Sequence, residues 1–165
     1  MTITAITTYD LSVFVHVTAV VVGFGSTFAL ALTFPVAMAL DVRHLPYAHR
    51  LSLAINKWLA TPGLVLVLAT GLYQVDKGNW KLGDPWLSAS MAIVIVLGGL
   101  IGAYFIPSDR RLGAMVQREI AAAGDGEVTL SQEYQRGGRM QGIVGTFAGL
   151  LVIAAVFLMT TKPGM

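Results

Sequence analysis

Two apolar runs joined by a short polar turn constrain this chain more than any other feature. From Thr61-Pro62-Gly63 the sequence is apolar through LVLVLATGLY (Leu64 to Tyr73) and then polar from Gln74 to Asp84. After Pro85-Trp86 it is apolar again to Ile106, and it stops at Pro107-Ser108-Asp109-Arg110-Arg111. Each run holds about 20 residues, which at ~1.5 Å per residue crosses ~30 Å of hydrocarbon. The pair reads as a transmembrane hairpin. Trp80 and Trp86 of the turn belong at the water interface, where an indole buries its ring and keeps a polar N–H.

The whole chain shares this character: of 165 residues, 55% are hydrophobic and 12% charged, with a mean hydropathy of +0.70. A soluble domain carries about 25% charged residues. The fold class is therefore all-α, a polytopic membrane protein built as a four-transmembrane-helix bundle in one domain over residues 1–165. The absence of cysteine removes disulfides, zinc thiolates, iron–sulfur clusters and cysteine nucleophiles. Net charge is +2, with basic residues scattered at helix ends, so it speaks for orientation in a bilayer and against nucleic acid. MTITAITTYDLSVF has no Lys or Arg ahead of a very long apolar run, which reads as a retained first helix and not a cleaved signal.

The spans fall at about 11–40, 55–75, 86–106 and 139–161. The first is long for a bilayer, about 45 Å at helical rise, and contains Pro35, so it must tilt, kink or protrude. The link from Asp41 to Arg50 is compact and basic, with helix 2 starting near Tyr47 and meeting the lipid boundary around Lys57-Trp58. Within 108–123, Leu112, Met115, Val116 and Ile120 recur at helical spacing while Arg110, Arg111 and Arg118 point elsewhere, the pattern of an amphipathic interfacial helix. It ends at Gly124-Asp125-Gly126, and Thr129 with Gln132 has capping-box spacing for the last helix. Lys and Arg gather in the first and third links, so the positive-inside rule puts those links in the cytoplasm and both termini outside the bacterial inner membrane.

Between membrane helices, small residues permit the close backbone approach that apolar side chains cannot reward in lipid. Gly23 and Ser26 on helix 1, Gly98 and Gly102 on helix 3, and Gly138, Gly142, Gly145 and Gly149 on helix 4 are the packing or partner faces. The hydroxyls Thr27, Thr33, Thr61, Thr70, Ser88, Ser90 and Thr146 can each bond a carbonyl three or four residues back.

Between the water interfaces the sequence offers almost nothing ionisable, and the exception is His16, roughly 8 Å into helix 1. As a lone imidazole it is either a haem or copper ligand or a hydrogen-bonding partner of a neighbouring helix. His44 and His49 belong to the opposite surface, where with Asp41 and Arg43 they form a solvated link or a surface metal or pH-sensitive patch. No phosphate loop, nucleophile elbow or paired catalytic carboxylate is present, and no catalytic or metal residue is assigned.

His16, Pro62-Gly63 followed by L-A-T-G-L-Y, G-N-W-K-L-G-D-P-W-L in the turn and P-S-D-R-R-L after helix 3 together resemble a bacterial family of four-helix predicted integral membrane proteins of unknown function. The layout is more distantly similar to the copper-resistance D-type membrane domain and to the four-helix protoporphyrinogen oxidase that binds haem. That likeness implies a functional role for His16 alone. The expected function is a non-catalytic accessory or structural subunit of a larger inner-membrane assembly, with a lipid or envelope transporter as candidate host. Membrane lipids and other membrane-protein subunits are its expected partners, and no cofactor is expected. The alternatives are a haem- or copper-binding redox protein using His16 and a small-molecule carrier or channel.

Overall fold

The structure, a computed structural model, describes residues 6–163. Four helices run antiparallel in chain order: α1 (Thr8–Leu40), α2 (Val42–Lys77), α3 (Pro85–Ala123) and α4 (Gln132–Thr161). Each is long and apolar enough to cross a membrane. At 39 residues α3 is about 58 Å long, nearly twice the hydrocarbon thickness. The basic ends of α2 and α3 and the start of α4 therefore project together beyond the bilayer.

Three starts are set by side-chain caps, and at α2 Asp41 Oδ1 accepts from the Arg43 N–H at 2.7 Å. Thr7 accepts from the Asp10 N–H at 3.2 Å while Asp10 accepts from the Thr7 N–H at 3.0 Å, a reciprocal box that opens α1. The cap of α4 is Ser131, whose hydroxyl accepts from Tyr134 N–H at 3.2 Å, and not Thr129 as the spacing predicts. Ser131 is the residue directly before the first helical turn, the position from which a hydroxyl reaches the third N–H.

The expected break at Pro107 does not occur. Residues 108–123 are no separate interfacial helix, because α3 runs through Pro107 to Ala123. A wide turn over Leu100–Phe105 precedes the proline, and the N–H of Ile106 bonds Ile101 O, five residues back. Widening the helix there makes room for the proline ring and absorbs its missing N–H. Pro62 in α2 is handled the same way, after a wide turn over Asn56–Ala60 in which both the N–H and the hydroxyl of Thr61 bond Asn56 O. A third wide turn, Val20–Phe24 in α1, lies against that of α2, which in turn touches that of α3.

These turns separate two packed cores. Toward the tryptophan turn, Phe24, Ala60, Val67, Val94, Leu97 and Val152 pack together. Toward the basic end, Ala37, Leu45, Ala48, Leu112, Val116 and Tyr134 form a second core. Leu112 and Val116 are thus buried against α2 and α4, where the sequence suggested an apolar face offered to lipid. Phe14, Leu32, Ile95, Phe147, Leu150 and Ile153 face outward, as a lipid-embedded bundle requires.

At the tryptophan end, Trp80 and Trp86 meet edge to face at 5.4 Å, and Lys162 Nζ lies 4.0 Å from the Trp80 ring centre. This cation–π contact fastens the end of α4 to the α2–α3 turn. Trp86 is buried, with no acceptor for its N–H among the described residues, and its ring packs inside the turn. The seven intramembrane hydroxyls bond carbonyls of their own helices three or four residues back, except Thr61, which reaches five back across the wide turn.

Candidate functional site

A helix presents positions three, four and seven apart on one face. On α2 that face carries Leu45, Ala48, His49, Ser52 and Asn56, all buried. On α3 it carries Asp109, Leu112, Gly113 and Val116, and on α4 Tyr134 and Gln141. Three helices thus bring their polar groups to one layer between the two cores. The approach of α2 to α3 depends on Gly113, where a Cβ would stand 3.2 Å from that of His49.

Asp109 is fully buried and is the hub of this layer. Its Oδ1 lies 2.9 Å from His49 Nδ1 and accepts from Gln141 Nε2 at 2.6 Å, while Oδ2 accepts from Ser52 Oγ at 2.5 Å. Asn56 Nδ2 extends the network weakly, 3.4 Å from Ser52 Oγ. On the far side of the imidazole, Nε2 is 2.9 Å from the Tyr134 hydroxyl. The carboxylate can only accept from Nδ1–H, so a neutral ring accepts the hydrogen bond of the Tyr134 hydroxyl at Nε2. Phe34 closes the ring's face edge-on at 4.8 Å, bringing α1 into the same contact. The arrangement joins all four helices and satisfies a charge that would be prohibitive to bury alone.

This corrects the reading of His44 and His49 as one surface patch. His44 is exposed, whereas His49 is 2% exposed, because α2 is already helical at Leu45 and turns residue 49 inward. Arg43 is not idle either: its guanidinium donates to Gly124 O at 2.7 Å and Gly126 O at 2.8 Å, stapling the first link to the third.

His16 sits at the opposite end, its Nδ1 2.9 Å from Thr70 Oγ1 and its ring edge packed on Gly71. Neighbouring pairs continue this polar seam between α1 and α2, with Gln74 donating to Ser12 and Tyr73 to Thr8. Beside it runs an open groove of about 430 Å³ lined by Thr8, Leu11, Ser12, Val15, Ala69, Thr70 and Tyr73. One imidazole already engaged by Thr70, with His44 and His49 at the other end, does not make the donor set that copper or bis-histidine haem requires. Among the described residues no three His, Asp or Glu side chains come together to hold a metal.

The small residues divide into used and unused. Gly23 faces Gly63 so closely that a Cβ on either would come within 3.0 Å of the other's Cα, and Ser26 bonds back to Gly23 O. Gly98 takes Leu64 at 3.0 Å and Gly149 takes Phe28 at 3.4 Å. Around Gly102, Gly138, Gly142 and Gly145 nothing lies within 4 Å of where a Cβ would stand. Of the amphipathic set, Leu112 is buried, Met115 packs against the basic-end core, and Arg110, Arg111 and Arg118 are exposed.

Sequence reasoning missed His49, Asp109, Ser52, Gln141 and Tyr134 as a group, and Gly63 as the partner of Gly23. The available signal was periodic: His49, Ser52 and Asn56 share spacing with Leu45 and Ala48, and Asp109 shares it with Leu112 and Val116. A polar side chain on an otherwise apolar face, repeated on two helices, signals a buried pair.

A family model described as "Predicted integral membrane protein (DUF2269)" matches residues 10–163. No curated protein and no solved structure matches the chain. The distant likeness to copper-resistance domains and the haem-binding oxidase gains no support from these comparisons.

Proposed function

Because the chain belongs to this family of predicted integral membrane proteins, we propose that it serves as a non-catalytic accessory subunit of a larger assembly in a bacterial inner membrane. One observation carries the reading. Helix α4 has its small residues Gly138, Gly142 and Gly145 in a row at helical spacing, with nothing among the described residues within 4 Å of where a Cβ would stand. It is also the least covered helix, with 6% of its most apolar window buried against 17 to 28% for the others. Gly23, Gly98 and Gly149 are by contrast occupied, by Gly63, Leu64 and Phe28. A row of this kind fits the close approach of a helix from another subunit. The polar interior is in keeping with this reading, since His49, Ser52 and Gln141 each spend a polar group on Asp109.

Purification of the tagged protein from its native membrane in mild detergent, with co-eluting proteins identified by mass spectrometry, tests this reading. A stoichiometric partner that is lost on Gly142→Leu with Gly145→Leu is the expected result. A protein that elutes alone, or only with copies of itself, overturns it.

The same reading puts the basic end in the cytoplasm and both termini outside, on the strength of Arg43, Arg50, Lys57, Arg110, Arg111, Arg118, Arg136 and Arg139. A chain without cysteine makes the test direct. In whole cells an impermeant maleimide should label Lys81→Cys and leave Arg118→Cys unlabelled, and the reverse pattern excludes this orientation.

A further inference from the structure

The charges at the basic end are sorted by distance from the apolar part of the bundle. Asp109 bonds both Ser52 and Gln141, which fixes one level common to α2, α3 and α4. Arg110 and Arg111 leave α3 at that level, Arg139 leaves α4 two residues beyond Gln141, and Lys57 leaves α2 about 7 Å nearer the apolar stretch. All four are exposed. Among the described residues the ion pairs are His49–Asp109 and Lys77–Asp76, so none of these four has a carboxylate within 4.0 Å. The carboxylate nearest this level, Asp109, is buried and spent on His49, Ser52 and Gln141.

The exposed acids of this end lie farther out. Glu133 is about 12 Å beyond Gln141 along α4, and Asp125 and Glu127 follow the end of α3, about 20 Å past Asp109. On the other side of the level the surface turns apolar at once. Trp58, 69% exposed, lies beside Lys57 at 5.0 Å, and Ile143 and Phe147 on α4 are exposed above Arg139. An exposed Trp beside a Lys marks the edge of the hydrocarbon, so the four cations stand at the height of the lipid phosphates.

We infer that Lys57, Arg110, Arg111 and Arg139 form a girdle that binds the headgroups of anionic phospholipids in the leaflet at the basic end. A guanidinium matches a phosphate with two parallel N–H donors, and near the hydrocarbon such a pair is only partly screened by water. The carboxylates that would compete are either buried or held a helical turn or more away. This surface also accounts for Arg110 and Arg111, whose apolar neighbours Leu112 and Val116 are turned into the bundle and not toward lipid.

The full chain reconstituted in phosphatidylcholine vesicles, with spin-labelled phosphatidylglycerol or phosphatidylcholine added as probe, tests the inference by the fraction of immobilised label. One cation per lipid predicts association of phosphatidylglycerol about fivefold stronger than phosphatidylcholine. Raising salt from about 0.1 M to about 1 M should bring the two lipids toward parity, and this arm needs no variant. R110Q/R111Q/R139Q should also approach parity, whereas R110K/R111K/R139K and, at the other end, K77Q/K81Q should keep the preference. Equal association of the two lipids overturns the inference, as does a preference that survives high salt or, in folded protein, the triple glutamine variant. Loss of the preference to millimolar inorganic phosphate would mark a free-anion site and overturn it as well.

Discussion

Asp109 and His49, 60 positions apart in the chain, meet at 2.9 Å between the two cores of the bundle. The contact is the centre of a layer to which α2, α3 and α4 each contribute a buried polar group, and its energetics are asymmetric. Made in full it stabilises modestly, but broken on one side it leaves a buried charge or donor without a partner.

Asp109→Ala should therefore lower stability by roughly 3–5 kcal/mol, since His49, Ser52 and Gln141 all lose their acceptor. Ser52→Ala leaves Asp109 Oδ2 without its donor and should cost roughly 1.5–3 kcal/mol. Thermal unfolding in detergent measures both, and an Asp109→Ala midpoint equal to that of the exposed Arg118→Ala would refute the role given to this layer.

At the crossing of α1 and α2 the contact is backbone to backbone. A Cβ at Gly63 would stand 2.8 Å from Gly23 Cα, and backbone cannot yield as a side chain can. Gly63→Ala should destabilise by about 1–3 kcal/mol. Gly102→Ala, with open space around it, should be neutral or slightly stabilising through helix propensity. The same unfolding assay separates the two, and equal behaviour would mean the crossing is looser than drawn.

The proline that ought to break α3 is already accommodated by the wide turn ahead of it. Pro107→Ala should accordingly change stability by less than about 1 kcal/mol, well below the ~3 kcal/mol typical of a helix-interior proline. A stabilisation approaching that larger figure would show that the turn does not relieve the proline.

For His16 the expected loss on changing to Ala is one hydrogen bond to Thr70, about 1 kcal/mol. The absorption spectrum of protein purified from native membranes should be the same for wild type and variant. A visible haem band present in wild type and absent in His16→Ala would restore the redox reading and displace the accessory one.

Arg43 ties the first link to the third through two carbonyls, Gly124 O and Gly126 O. Arg43→Ala should speed amide hydrogen exchange across residues 124–131 severalfold while leaving the spans protected, because the staple holds a loop and not a core. Unchanged exchange in that segment would show the loop is held by other contacts.

Much of this molecule was legible from the chain alone, for reasons that are local. Whether a segment such as Leu64 to Tyr73 crosses a membrane depends on its own apolarity and length, and a hydroxyl such as Thr70 finds its carbonyl on its own helix, at Leu66. What the chain alone misplaced was pairing. His49 and Asp109 each stand in a polar, basic-looking segment, and by composition both belong to water.

Their burial follows from α2 being helical already in the first link and from α3 continuing past Pro107. Those two continuations create a second core at the basic end and turn one face of each helix into it. The spans were thus determined by the sequence one segment at a time, because transfer into hydrocarbon is a sum over local side chains. Which polar groups face each other was decided only by tertiary structure, since a hydrogen bond between residues 60 apart depends on the rotation and register of two helices at once.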